Sequence, residues 1–195
     1  MNVKAQGLHN AAKHIETVFG RDALGRVLRA CGASVRETYT SSTAMNWHPV
    51  GELCEFVDVA EKELDCRGKL AQDIGAAGAR ANMKGTLLRI ALYWGKPESL
   101  VPRLVSVWRQ YNDEGEMALL EIGPDRAKIE VRGIAAPRDT FCRILTGWWV
   151  EVAMGLGGSF VHATHSECSA LGGARCVWDL RGHVDEAGLG RRAKI

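Results

Sequence analysis

Apolar positions in the first half of the chain recur at helical spacing. From Asn10 to Phe19 they share one face, and Gly20 offers a residue suited to ending the helix. Asp22 suits the N-cap of the next helix, whose Leu24, Val27, Leu28 and Cys31 fall together before Gly32. Val3 to Leu8 reads as a short edge strand, with Gly7 to end it. Residues 38–49, rich in hydroxyl side chains and closing on His48-Pro49, predict a loop. Val50, Leu53, Val57, Ala60 and Leu64 mark another helix. The stretch from Lys69 to Met83 predicts a further one, rich in Ala and Gly, whose small side chains let a neighbouring helix come close. Thr86 to Trp94 is apolar and reads as buried. Pro97 suits the first turn of a helix running to Tyr111, with Val101, Leu104, Val105 and Trp108 inward.

From Asp113 the period shortens. Met117 to Ile122, the turn Gly123-Pro124-Asp125, and Ala127 to Val131 predict a β-hairpin. Thr140 to Leu156 predicts a long helix with Phe141, Leu145, Trp148 and Val152 on one stripe, ended by the glycines at 155, 157 and 158. Phe160 to Thr164 and Arg175 to Leu180 predict a second hairpin, joined across Leu171-Gly172-Gly173. This order implies an α+β domain with a helical N-terminal half and a small antiparallel sheet covered by helices on one face. A single domain is expected over residues 1–180, helical over 1–96 and mixed over 97–180, followed by a frayed tail at 181–195.

Composition narrows the function classes. The chain has 195 residues, 46% apolar and 25% charged, which suits one ordinary globular domain. Its 25 basic and 23 acidic residues are interspersed and leave a net charge of +2, which argues against a nucleic-acid-binding face. No stretch approaches the roughly 18 apolar residues of a membrane span, and no signal peptide is recognisable, so a cytoplasmic location is expected. The six cysteines are then expected to be thiols or metal ligands. Ser41-Ser42-Thr43 lacks the Gly-Lys partner of a phosphate loop, and no hydrolase elbow, zincin or dinucleotide fingerprint occurs. A non-enzyme is expected.

Candidate chemistry gathers in the last third. His165 and Cys168 stand three apart, Cys176 follows eight residues later, and Cys142 lies on the long helix. If the four converge, they offer one imidazole and three thiolates, a set that zinc prefers, closed and therefore structural. The plain alternative is that the cysteines are small buried hydrophobes. The aromatics also crowd the back half. Most read as core, and Trp108, Tyr111, Trp148 and His162 are the candidates for an apolar ligand pocket. His9, His14 and His48 stand alone.

The frame "SLVPRLVSVWRQYNDEGEM…FCRILTGWWVEVAMGLGGSFVHATHSECSALGGARCVWDL" resembles the 4-vinyl reductase small-molecule-binding domain. In phenol-sensing regulators of that family the matching positions bind zinc, which implies Cys142, His165, Cys168 and Cys176 as ligands here, with His165 where those sensors have a glutamate. The pair that fixes phenol in them has no visible counterpart. The front of the chain, "GLHNAAKHIETVFG…NWHPVGELCEFV…IGAAGARANMKGTLLRIAL", resembles an uncharacterised myxobacterial paralogous family related to 4-vinyl reductase and heme-NO-binding-type domains. The wider superfamily includes the acyl-binding TRAPP subunits. Heme itself is not expected, because His14 is a lone histidine on an amphipathic helix and no proximal-histidine surroundings are recognisable. The resemblances imply a homodimeric ligand-sensing module that binds a small apolar or aromatic molecule, holds structural zinc and signals through a protein partner. A TRAPP-like scaffold, with an acyl-filled or collapsed pocket, is the second reading, and an enzyme related to the vinyl reductase the third.

Overall fold

Alternating helical faces in the front half close on one another, and the back half lays a sheet against its longest helix. The computed structural model describes residues 1–66, 68–83, 105–123, 125–155 and 158–184. Helix α1 (Gln6–Phe19) buries Leu8, Ala11, Ala12 and Ile15, and α2 (Arg21–Ala30) buries Ala23, Leu24 and Val27. Gly20 joins them at φ 88, a left-handed conformation that few residues besides glycine adopt, and its N–H closes on the Glu16 carbonyl. The expected edge strand is cut short. Strand β1 spans only Asn2–Lys4, because α1 has already begun at Gln6.

The predicted loop at 38–49 is instead the end of α3 (Ala33–Ser41) and a short strand β2 (Trp47–Pro49), which pairs antiparallel with β1. Its hydroxyls do not break the helix because partners hold them. Thr38 is buried and donates to Glu52 at 2.7 Å, and His48 lies 3.0 Å from the same hydroxyl and 2.8 Å from that of Ser42. Helices α4 (Val50–Glu63) and α5 (Leu70–Met83) follow where the spacing placed them.

In the back half, helix α6 occupies residues 105–111 and buries Trp108. The apolar stretch Thr86 to Trp94 and the Pro97 end of that helix lie outside the described residues. Strands β3 (Glu116–Ile122), β4 (Arg126–Arg132), β5 (Gly158–Glu167) and β6 (Cys176–Val184) form an antiparallel sheet in the order β3-β4-β6-β5. Both hairpins form, and β4 joins them by pairing with β6, Ile129 opposite Trp178. Strand β6 runs to Val184, past the expected start of the tail at 181, because Arg181 still pairs with both Arg126 and His162. Helix α7 (Asp139–Gly155) lies against β5 and β6. The fold is α+β, as the order of elements implied.

Two glycines set the contact between the halves. A Cβ on Gly75 of α5 would stand 1.9 Å from the Ile144 carbonyl oxygen of α7. One on Gly147 of α7 would stand 1.9 Å from the Gln72 carbonyl oxygen of α5. The two helices therefore touch backbone to backbone, and α5 packs along α7 more extensively than any other described helix pair. Beside this seam the Arg143 guanidinium of α7 donates to both oxygens of the buried Glu61 of α4, at 2.7 and 2.8 Å.

Candidate functional site

Two features border α7. Between α7 and the front helices is a cavity of about 110 Å³. Phe141, Ile144, Leu145, Trp148 and Trp149 of α7 form one wall, and Leu53 of α4 with Ile74, Gly75 and Gly78 of α5 form another. Trp108, Tyr111 and Asn112 close one side, and Lys4, Gln6, Asn10 and Asn82 supply the remaining polar groups. Gln6 of α1 donates to Asn82 of α5 at 3.1 Å. Burial raises the pKa of the Tyr111 phenol above its ordinary value. The Trp149 and Trp148 rings stand perpendicular, with centroids 4.8 Å apart, and the buried Nε1 of Trp149 has no hydrogen-bond partner among the described residues.

Trp108, Tyr111 and Trp148 are thus brought together in one cavity. His162 is not. It lies exposed on β5, its Nε2 3.4 Å from the Thr164 hydroxyl, because the strand's alternation turns it away while the neighbouring Ala163 goes inward. The wall from α1, α4 and α5 has only one sequence signal, the small residues of α5. Trp149 was hidden by being adjacent to Trp148, since a one-sided stripe picks only one of two neighbours.

On the sheet side of α7, the four separated ligands converge. Cys142 extends from α7, His165 from β5, Cys168 from the residue before a 3-10 turn (Ser169–Leu171), and Cys176 from the start of β6. Their ligand atoms all lie within 4.8 Å of one another, and the cysteines are buried free thiols. Sγ of Cys142 is 3.5 Å from that of Cys176 and 3.9 Å from that of Cys168. A tetrahedral zinc with bonds of about 2.3 Å sets its sulfurs about 3.8 Å apart, so the spacing suits a metal. It is far too long for a disulfide, whose sulfurs stand about 2.05 Å apart. His165 stacks on Trp178 at 4.5 Å between centroids, and its buried Nε2 has no hydrogen-bond partner among the described residues. The Cys142 hydrogen bond, with help from His165 and Ser169, lowers the Cys176 pKa to about 3 against its burial. The same contact and burial push Cys142 strongly upward. One thiolate is therefore already favoured where metal binding needs several.

No protein-family model matches the chain, and no curated protein does. Solved structures do. The unliganded Fe(II) H-NOX protein of K. algicida matches with a TM-score of 0.69 at 9% identity, over 94% of this chain and 98% of its own. An H-NOX protein of S. oneidensis in the Fe(II)NO state matches with a TM-score of 0.66 at 11% identity, over 92% of this chain and 99% of its own. A structure reporting modulation of heme redox potential through porphyrin distortion matches with a TM-score of 0.65 at 10% identity, over 91% and 99%. The relation to heme-NO-binding-type domains seen in the front of the chain agrees with these neighbours. The 4-vinyl reductase and TRAPP resemblances receive no support from them.

The expectation against heme is overturned by this fold. That expectation looked for the neighbourhood of a histidine in the sequence, whereas a backbone arrangement survives when such a pattern is lost. A heme needs an axial donor and room for a flat macrocycle. Among the described wall residues Tyr111 is a donor type that ligates heme iron, and the apolar aromatic walls suit a porphyrin face. The room is smaller, since ligand sites usually hold about 300–1,000 Å³ and this cavity about 110 Å³. The wall chemistry fits and the open volume does not, so a porphyrin would enter only if the layers parted. No described helix is long and apolar enough to cross a membrane. In its arrangement of helices and sheet, the chain has the fold of the H-NOX proteins.

Proposed function

We propose that this chain is a ligand-sensing domain whose ligand occupies the cavity between α7 and the front helices. The observation that carries this reading is an apolar cavity, rimmed by a few polar groups, inside a fold that matches H-NOX proteins over nearly its whole length. The proposed role is binding rather than catalysis.

Two occupants have support. The fold favours heme, which Tyr111 of the described wall would help to hold. Heme bound there would supply an iron centre for a diatomic ligand, as in the Fe(II)NO state of the S. oneidensis protein. The volume of about 110 Å³ favours a smaller apolar or aromatic molecule. Titration of the purified protein with hemin separates them. A stoichiometric Soret band that Tyr111→Phe shifts or abolishes supports heme. No Soret change, together with stabilisation by a small aromatic compound, supports the second occupant. If neither hemin nor any small aromatic compound alters the spectrum or the melting temperature, the sensing role is wrong.

Where α7 meets the sheet, we assign Cys142, His165, Cys168 and Cys176 as the ligands of one metal ion that would pin α7 to β5 and β6. Four protein ligands leave no open position for substrate, so its role is structural. Metal analysis of the protein as purified reads the occupancy, and about one ion per chain is expected.

A further inference from the structure

A chain of hydrogen bonds runs through the imidazole of His48, which neither candidate site uses. Thr38 and Ser42 stand one turn apart at the end of α3, so their side chains share one face. Strand β2 turns His48 to that face and leaves Trp47 and Pro49 exposed. Glu52, in the first turn of α4, reaches back to the same place. The Ser42 hydroxyl lies 2.8 Å from His48 Nε2, and the Thr38 hydroxyl lies 3.0 Å from Nδ1. Thr38 donates to Glu52 at 2.7 Å, and the accepting carboxylate oxygen is itself 3.6 Å from Nδ1. Ser34 donates to the other carboxylate oxygen.

These bonds assign the tautomer of the neutral ring. Thr38 has one hydroxyl hydrogen and gives it to Glu52, so toward His48 it accepts, and the ring proton sits on Nδ1. Nε2 then carries the lone pair and accepts from Ser42. Thr38 is only 5% exposed, which shields its contacts from bulk water. The Ser42–His48 bond is only partly buried, so a small electrophile can reach it from solvent. We propose that Ser42 is a nucleophile with His48 as its base, forming an acyl-accepting site that does not depend on the cavity. In an encounter with an activated ester, Ser42 Oγ bonds to the carbonyl carbon as its proton passes to His48 Nε2. The bond to the leaving oxygen breaks, and the departing alcohol takes that proton, which leaves an acyl-serine and a neutral ring. Thr38 and Glu52 are positioning residues that orient the ring and favour the imidazolium formed between the two steps. The relay supplies a nucleophile and a base, so the acyl donor must bring its own good leaving group, as an aryl ester does.

The test incubates the whole protein with p-nitrophenyl acetate. Release of p-nitrophenol gives the rate, and peptide mass spectrometry locates the acetyl group. Ser42 is expected to be acetylated in the wild type, and its acetylation to slow about 100-fold in His48→Gln, the loss of a positioned general base. Thr38→Val should slow it as well, and Thr38→Ser, which keeps the hydroxyl, should restore it. A network that only holds β2 against α3 and α4 would change the melting temperature of these variants without a Ser42-specific acetylation to lose. Acetyl groups on lysines or cysteines with Ser42 unmodified overturn the proposal. So does a Ser42 rate that His48→Gln leaves unchanged. If His48→Gln does not fold, the wild-type map and Ser42→Ala decide the matter: fast p-nitrophenol release that survives Ser42→Ala sinks the assignment. None of these results bears on the ligand of the cavity.

Discussion

At Gly75 and Gly147 a single hydrogen atom lets α5 and α7 meet. Any Cβ at either position would lie 1.9 Å from a carbonyl oxygen of the other helix, and backbone cannot step aside as a flexible side chain can. Gly75→Ala and Gly147→Ala are each expected to cost about 3 kcal/mol or more in chemical denaturation, or to prevent folding. Gly78, also on α5 but with nothing within 4 Å of its Cβ position, is the control. Gly78→Ala should be neutral or stabilising by about 0.5–1 kcal/mol. A second residue-scale effect concerns His14. Burial holds its imidazole below the ordinary 6.5, Asp73 opposes this, and Arg80 adds to it. Well above pH 6.5 the ring is neutral in both the folded and unfolded chain, so it contributes no slope there. As pH falls below that value the unfolded chain takes up a proton that folded His14 resists, and stability declines until the folded group also titrates. His14→Gln should flatten this part of the stability–pH curve. An unchanged slope between about pH 7 and pH 5 would show that other groups govern it.

Element boundaries follow local spacing where a helix carries its own apolar face, and tertiary partners where it does not. Amphipathic helices α1, α2, α4, α5 and α7 carry their own spacing and appear close to where that spacing put them. The stretch at 38–49 misled because hydroxyl residues favour loops when unpartnered, and here Thr38 and Ser42 found Glu52 and His48 only once α4 had folded beside α3. Joining of the elements also rests on groups far apart in sequence. Arg143 gathers Glu61, Asp139 at 3.0 Å and Asp58 at 3.5 Å, so α4 and α7 share one charge cluster. Replacing Arg143 with Met leaves Glu61 buried without its cation and should cost about 2–4 kcal/mol. Adding Glu61→Gln to that variant should recover a large part of the loss. Strict additivity of the two changes would mean that the pair does not act as a unit.

Over the whole molecule, α7 serves both candidate sites, presenting Trp148 and Trp149 to the cavity and Cys142 to the sheet. The metal ion proposed at Cys142, His165, Cys168 and Cys176 would tie α7 to β5 and β6. Its removal by a strong chelator is expected to lower Tm by roughly 5–10 °C, with zinc restoring it. A Tm that zinc leaves unchanged in metal-free protein would count against the assigned ligands.

By itself the sequence determined the class of fold, because hydrophobic spacing of 3.6 and of 2 is a local property that each segment carries wherever it lies. It also determined that three thiols and an imidazole were available, and that Trp108, Tyr111 and Trp148 were candidates for one pocket. Convergence of Cys142, His165, Cys168 and Cys176 to within 4.8 Å was decided by tertiary structure, since α7 had to cross the hairpin at one height. So was the exclusion of His162, which depends on which side of β5 faces the helix. The H-NOX fold itself, seen at about 10% identity, lies in backbone arrangement, where many different side chains satisfy the same packing. The unpaired N–H of Trp149 is likewise a tertiary fact, because whether a buried donor finds an acceptor depends on every element around it.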